Sequence, residues 1–363
     1  MKPITILLLY AQSDGNRTFS YQYGWPRSFT RHPRFHCVPL NVMDKRFLQL
    51  LRRQVLVRRG RFDAVVMMHS VFSNACYLRH FLFDAVRSIK VPKAYFIGNE
   101  YKLMPEKMEF CETLGVSLLI SQTDCPEVHA LYRQRLGCVV TGIPNTGLDA
   151  DLFRPEIAHR DRPIDIGYRS DDSPIYLGHY ERRQIADCFL QHGPRYGLTL
   201  DISLEQSRRL PEAEWAAFLN RCKGQLGTEA GGDYFELTDT TRIKYMDYIA
   251  ANPCATNDEI ISKFFQGYPN PVPIRIISGR NVEAAGTKTV QILLEGRYNG
   301  YFKPDVHYIP LKKDFSNFAE VVEKFRDESY CRAITDNAYE VAVKELTYEK
   351  LIDKFYGALA PLL

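Results

Sequence analysis

The sequence predicts an α/β protein made of two parallel-sheet units in series, and three observations predict it. Its 363 residues exceed what one hydrophobic core usually supports, which favours two domains of roughly 150 to 200 residues each. The first 145 residues alternate short apolar runs with amphipathic stretches, the βαβ rhythm of a parallel sheet covered by helices. That rhythm stops at the turn-rich stretch Pro144–Pro155 and the charged run His159–Arg162, and then resumes.

In the N-terminal unit, expected over residues 1–145, the candidate strands are Ile4–Tyr10, His36–Leu40, Ala64–Met68, Ala94–Ile97, Ser117–Ser121 and Cys138–Gly142. Lys45–Arg59, Asn74–Ile89, Glu106–Leu114 and Glu127–Leu136 space Leu, Phe, Tyr and Val as helices do. The apolar start Ile4–Tyr10 is short and has no small-residue cleavage site after it, so it reads as a buried strand rather than a signal peptide. Residues 146–162 are the expected linker.

The second unit, expected over 163–345, reads as strand Asp165–Gly167, helix Tyr180–Gln191, strand Thr199–Ile202, helix Glu212–Arg221 and strand Gly224–Gly227. Residues 240–273 interrupt it with two polar helices, Arg242–Ala251 and Asp258–Phe265, and the proline-rich Tyr268–Pro273, which cannot be a central strand. They read as an insertion. Ile274–Ile277, helix Asn281–Ala285, Thr289–Leu294 and His307–Leu311 follow, then helices Asn317–Arg326, Tyr330–Glu345 and Tyr348–Leu359. Residues 346–363 are expected to pack back on the N-terminal domain. The whole is two Rossmann-like domains facing across a cleft, with C-terminal helices.

Composition excludes several classes of function. Lys plus Arg exceed Asp plus Glu by four and are interspersed with them, so no nucleic-acid tract is present. No segment approaches the length that spans a bilayer. The nine cysteines are scattered singly without a C-x-x-C pair, as in a reduced, cytoplasmic protein and unlike a zinc site. The loop Gln12–Asn16 lacks G-x-G-x-x-G, which argues against a dinucleotide-binding dehydrogenase; it reads either as a substrate loop or as the glycine-containing first loop common in this architecture.

Two stretches carry a resemblance. Gly142–Asp149 followed by Phe153-Arg154-Pro155 resembles the interdomain segment of group-1 glycosyltransferases of the GT-B fold. Arg280–Thr287, Leu294-Glu295-Gly296 and Lys303–Leu311 resemble the donor-binding region of bacterial transferases from surface-polysaccharide gene clusters. Asn99–Lys102, Asp165–Arg169 and Leu226–Gly231 fall in the order that group requires. The resemblance implies a glycosyltransferase that moves a sugar from a nucleotide sugar to a glycan or glycolipid acceptor in capsule, O-antigen or lipopolysaccharide synthesis. The donor is a UDP- or GDP-hexose or a CMP-linked ulosonic acid of the Kdo type. GT-B enzymes balance phosphate charge with side chains and helix dipoles, so no metal or other cofactor is expected. The expected location is the cytoplasm, with association at the inner face of the membrane or with an assembly complex left open. Rival readings are a catalytically silent binding or scaffold protein of the same fold and, more remotely, an epimerase.

The chemistry selects the candidate residues. A leaving nucleotide gathers charge on its phosphates while the sugar passes through an oxocarbenium-like state, so cations and helix N-terminal amides are needed at one and a carboxylate at the other. Arg280 at the start of its helix, Arg169 at the end of a strand, Lys303 and His307 are the candidate donor contacts, against the plainer reading of surface or ion-paired side chains. Retaining group-1 enzymes carry Glu-x7-Glu, the second Glu contacting the ribose. Glu283 suits the second position, but Arg275 stands in the first. Glu229, ahead of Ala230-Gly231-Gly232, is the candidate for the missing carboxylate, with Asp233 and Glu100 as further catalytic candidates; a glycine turn with two solvated acids explains Glu229 and Asp233 equally, and a helix-capping role or an ion pair with Lys102 explains Glu100.

Overall fold

The computed structural model describes residues 3–13, 19–44, 60–78, 80–172, 174–267 and 272–363. Lys45–Arg59, Asp14–Asn16 and Tyr268–Pro271 lie outside the described residues. In chain order the N-terminal half holds β1 Ile4–Tyr10, α1 Ser20–Arg31, β2 Phe35–Asn41, β3 Ala64–Met67, α2 His80–Ser88, β4 Lys93–Phe96, α3 Met104–Leu114, β5 Leu118–Ser121, α4 Pro126–Leu136 and β6 Val139–Gly142. The second half holds β7 Ile164–Arg169, α5 Glu181–His192, β8 Leu200–Ser203, α6 Glu212–Arg221, β9 Cys222–Gly227, α7 Thr240–Ala251, α8 Asn257–Phe264, α9 Gly279–Gly286, β10 Val290–Leu294, β11 Ile309–Leu311, α10 Phe318–Arg326, α11 Glu328–Glu345 and α12 Tyr348–Leu359.

All strand pairs within the two sheets are parallel, in the orders β2-β1-β3-β4-β5-β6 and β11-β10-β9-β7-β8. Parallel strands joined by helical crossovers are covered on both faces, which is why Ile6–Leu9, Ala64–Met67 and Ile292–Leu294 are unbroken apolar runs with at most 2% exposure. In each sheet the order reverses beside one strand, β1 in the first and β7 in the second. The crevice outside such a reversal, at the carboxyl ends of the strands, is where ligands bind in open α/β sheets.

Three sequence expectations are corrected. Ile274–Ile277 joins no sheet. It pairs antiparallel with the segment after β9, Ala230 N–H to the Ile276 carbonyl at 2.8 Å and Ile276 N–H to the Ala230 carbonyl at 2.9 Å. Residues 74–78 are not helical; Tyr77 N–H instead closes a turn on the Val71 carbonyl at 2.8 Å, and α2 starts at His80. The sequence reading also passes over α1, whose Gly24 and Pro26 disfavour a helix. Packing overrides propensity there: Trp25 and Phe29 are fully buried against Phe96, and a Cβ on residue 24 would fall 2.3 Å from the Tyr348 ring.

Candidate functional site

The carboxyl ends of β1 and β3 face those of β7 and β9 across a cleft of about 390 Å³. Its second-domain wall is built by the turn after β9, by the 276–278 segment bridged to it, and by the start of α9. Ser278, Gly279 and Arg280 all line the cleft. Asn281 turns back to accept the Ser278 N–H at 3.0 Å, fixing the entry to the helix. Gly279 is required by close approach, since a Cβ there would sit 2.7 Å from Thr146 Oγ1 of the interdomain segment.

Three guanidinium groups share this wall with two carboxylates. Arg182 and Arg209 both reach Asp171, at 2.6 and 3.4 Å. Burial raises the Asp171 pKa, but the two arginines outweigh it and hold the carboxyl below its usual range. Arg280 pairs with no carboxylate among the described residues; its Nη1 donates to the Arg169 carbonyl at 3.4 Å. Burial, with Arg182 close by, pulls its pKa down to about 10. A partly buried cation with spare donors beside a helix N-terminus is a receptor for an anion.

Glu283 lies one turn further along α9 and is 3% exposed. Its carboxylate accepts from the Ser20 hydroxyl at the start of α1 and from Trp215 Nε1 of α6 at 2.7 Å, so it joins both halves of the molecule. Burial raises its pKa to about 7, only partly offset by those two donors. Beside it is a recess of about 50 Å³ lined by Arg169, Arg209, Trp215, Arg280 and Glu283.

Arg169 therefore stands next to the cleft, but its guanidinium is engaged: it donates to Asp201 Oδ1 at 2.7 Å and lies 4.3 Å from the centre of the Phe218 ring. The remaining candidates stand elsewhere. Glu229 is not on the cleft wall, although Ala230 and Gly231 after it are. Its Oε1 accepts the backbone N–H groups of Arg297 and Tyr298 at 3.1 and 2.7 Å, tying down the turn after β10. Glu229 and Glu283 thus do not line the cleft together. Asp233 is held by Arg275 at 2.6 Å, and Arg275 also pairs with Glu181 at 2.7 Å. The position eight before Glu283 is an ion-pair hub.

Glu100 is buried behind the first sheet's edge, accepting from Ser121 Oγ, Gln122 N–H and Tyr132 OH at 2.7 to 2.8 Å. Those bonds spend its carboxylate on holding the backbone that follows β5. Lys303 and His307 lie in one turn, where His307 Nδ1 accepts the Lys303 N–H at 2.8 Å, and neither lines the cleft. The chain's Asp-x-Asp triplet, Asp149 to Asp151, sits in the linker, with Asp149 paired to Arg27 at 2.6 Å. Among the described residues no group of three or more His, Cys, Asp or Glu side chains is placed to hold a metal ion.

Sequence reasoning missed Arg182, Arg209, Trp215, Gln22, His69 and Asn145. Arg182 and Arg209 belong to no motif, and Gln22 belongs to the helix that propensity hides. His69 ends an apolar run that fits a strand equally well with or without it.

No protein-family model matches the chain, and no curated protein matches it in sequence. Solved structures do match. A DNA-modifying β-glucosyltransferase, studied with and without uridine diphosphoglucose, aligns with a TM-score of 0.59 at 10% identity over 98% of this chain and 100% of that one. Sucrose-phosphate synthase from Thermosynechococcus elongatus gives 0.53 at 10% identity over 99% of each chain. Anabaena HepE in complex with UDP-glucose gives 0.52 at 11% identity over 99% and 100%. The chain shares with them the fold of two Rossmann-like domains facing across a cleft. Among the described residues no helix is long and apolar enough to cross a membrane.

Proposed function

We infer that this chain is a glycosyltransferase that takes a hexose from a UDP-sugar and moves it to a glycan or glycolipid acceptor. The observation that carries this reading is the cleft between two facing strand-order reversals, where the start of α9, Arg182, Arg209 and Arg280 meet a buried Glu283. The diphosphate is assigned to Arg280 and the first-turn amides of α9, and the ribose hydroxyls to Glu283. In the transfer the bond from anomeric carbon to phosphate oxygen breaks with its electron pair going to the nucleotide. The acceptor oxygen forms the new bond, and its proton passes to the departing phosphate oxygen or to solvent water. Arginine and helix-end charge stabilise the departing diphosphate without a metal ion.

UDP is favoured over GDP and CMP because proteins of this fold, Anabaena HepE among them, are described with UDP-glucose bound. A role in surface-polysaccharide synthesis rests on the sequence resemblance at 280–311. A second reading, a nucleotide-binding protein without transfer activity, is favoured by one observation: the cleft's acidic residues among the described ones, Asp171 and Glu283, are both already engaged.

Thermal melting with UDP, GDP, CMP and ADP tests the assignment. A ligand at 100 times its dissociation constant stabilises by about 2.7 kcal/mol, so UDP is expected to raise the melting temperature and the others to do so less. Arg280→Ala is expected to abolish the UDP shift. If no nucleotide shifts the wild-type melt, the donor assignment is wrong; if UDP binds but UDP-glucose yields no UDP with any glycan acceptor, the second reading takes its place.

A further inference from the structure

The cleft wall facing the arginines has different chemistry. It belongs to the N-terminal half, amide side chains dominate it (Gln22, Asn99, Gln122, Asn145), and Lys102 is its one charged side chain among the described residues. Behind it, between α1 and the segments that follow β3, β4, β5 and β6, a recess of about 10 Å³ opens beside His69 and shares Gln22, Ser70, Asn99 and Asn145 with the main cleft. That volume holds one water molecule or one hydroxyl group.

Three buried polar atoms around the recess have no partner among the described residues: Gln22 Oε1, His69 Nε2 and Asn145 Oδ1. Two of the amide donors beside it are used within the protein. Gln122 Nε2 donates to the Ile97 carbonyl at 3.0 Å and Asn99 Nδ2 to Asn74 Oδ1 at 2.6 Å. Interaction with the Asn145 backbone carbonyl raises the His69 pKa slightly against burial, and Nε2 is the ring nitrogen without a partner among the described residues. Burial keeps that imidazole neutral, its pKa lowered to about 4. Buried acceptors left bare are uncommon in folded proteins and call for a donor.

We propose that this wall is a subsite for an uncharged pyranose, one of whose hydroxyls enters the recess and donates to His69 Nε2, Gln22 Oε1 or Asn145 Oδ1. A phosphate or carboxylate brings no proton to give. An ammonium group would meet Lys102 and no carboxylate on this wall. The rings of Tyr21, Tyr77 and Tyr101 border the same wall and offer apolar surface to the sugar's C–H faces. The inference rests on the donor reading of the opposite wall only for which sugar enters, the transferred hexose or the acceptor.

Calorimetric titration of the full chain with UDP, UDP-glucose and methyl hexopyranosides, the last with and without saturating UDP, tests it on wild type, Gln22→Met and His69→Phe. His69 packs among the Trp25, Tyr21 and Phe96 rings, so a phenyl ring keeps the packing and deletes the lone pair. Both variants are expected to bind UDP as wild type does, which also shows they are folded, and to bind a hexose ligand about tenfold more weakly. Loss on UDP-glucose assigns the recess to the transferred sugar; loss on the methyl hexoside assigns it to the acceptor. Wild-type affinity for every hexose ligand in both variants would overturn the subsite and leave a single water in the recess. Tighter binding of a methyl glucuronide or methyl glucosaminide than of methyl glucoside would overturn its neutrality. A wild type that binds methyl hexosides but no uracil nucleotide keeps the subsite while the donor reading falls.

Discussion

Glu283 meets two opposed requirements. Burial between Ser20 and Trp215 favours its protonated form and lifts its pKa from 4.5 to about 7, whereas gripping two ribose hydroxyls requires the carboxylate. Because the folded pKa lies above the unfolded one, the group's stabilising contribution is fully present below pH 4.5 and is lost as pH rises through about 7. The full swing is on the order of 3 kcal/mol. Wild-type melting temperature is therefore expected to decline from pH 5 to 8 more steeply than that of Glu283→Gln, measured by calorimetry in one buffer series. Over the same range UDP affinity is expected to rise for wild type, because the nucleotide selects the ionised form, and to stay flat for the glutamine variant. Parallel pH curves for the two proteins would show that Glu283 does not titrate there. The residue was legible in the sequence through its place in the 280–287 resemblance. Its pKa was not, since Ser20 and Trp215 lie 263 and 68 positions away.

At the scale of one element, the turn after β10 explains Glu229 better than catalysis does. Gly296 has no side chain, so Glu229 can place its carboxylate against the turn; a Cβ on residue 296 would fall 2.5 Å from Oε2. The left-handed residues Tyr298 and Asn299 follow, and Asn299 Oδ1 then accepts the Ile277 N–H at 2.6 Å, at the entrance to α9. Gly296→Ala is expected to cost about 1–3 kcal/mol of stability by overpacking. Glu229→Ala should cost a similar amount by stranding the amides of Arg297 and Tyr298. If Glu229 is structural, denaturant melts of both variants shift while their UDP affinity, measured at a temperature where they are folded, holds. A Glu229→Gln enzyme that is fully folded yet loses transfer would return the carboxylate to the chemistry. Sequence pattern marked Glu229 as a carboxylate beside a glycine turn, but the direction a side chain takes from such a turn depends on contacts 68 and 69 residues away. Helix α1 shows the converse. Its Gly24 and Pro26 read as a break, and only the buried faces of Trp25 and Phe29 make it a helix.

Across the whole molecule, the chain passes between the two halves twice, side by side. After β6 it runs through Leu148, whose N–H donates to the Leu346 carbonyl at 2.7 Å, and the Tyr348 N–H returns a bond to the Leu148 carbonyl at 3.3 Å. From there α12 lies under the first sheet, with Phe355 fully buried against Phe29, Phe35 and Phe96 at ring-centre distances of 5.5, 5.9 and 5.2 Å. The last helix of the chain is thus part of the first domain's core. Phe355→Ala opens a cavity in that core and is expected to cost about 3–5 kcal/mol. Because the aromatic contacts it deletes are with N-terminal residues, the loss should fall on one half, splitting the calorimetric melt into an early transition and a late one. UDP, assigned to the wall built by α9, should then move the late transition much more than the early one. A single transition that shifts as a block, with UDP restoring it whole, would show instead that the paired crossings at Leu148 and Tyr348 couple the two halves into one cooperative unit.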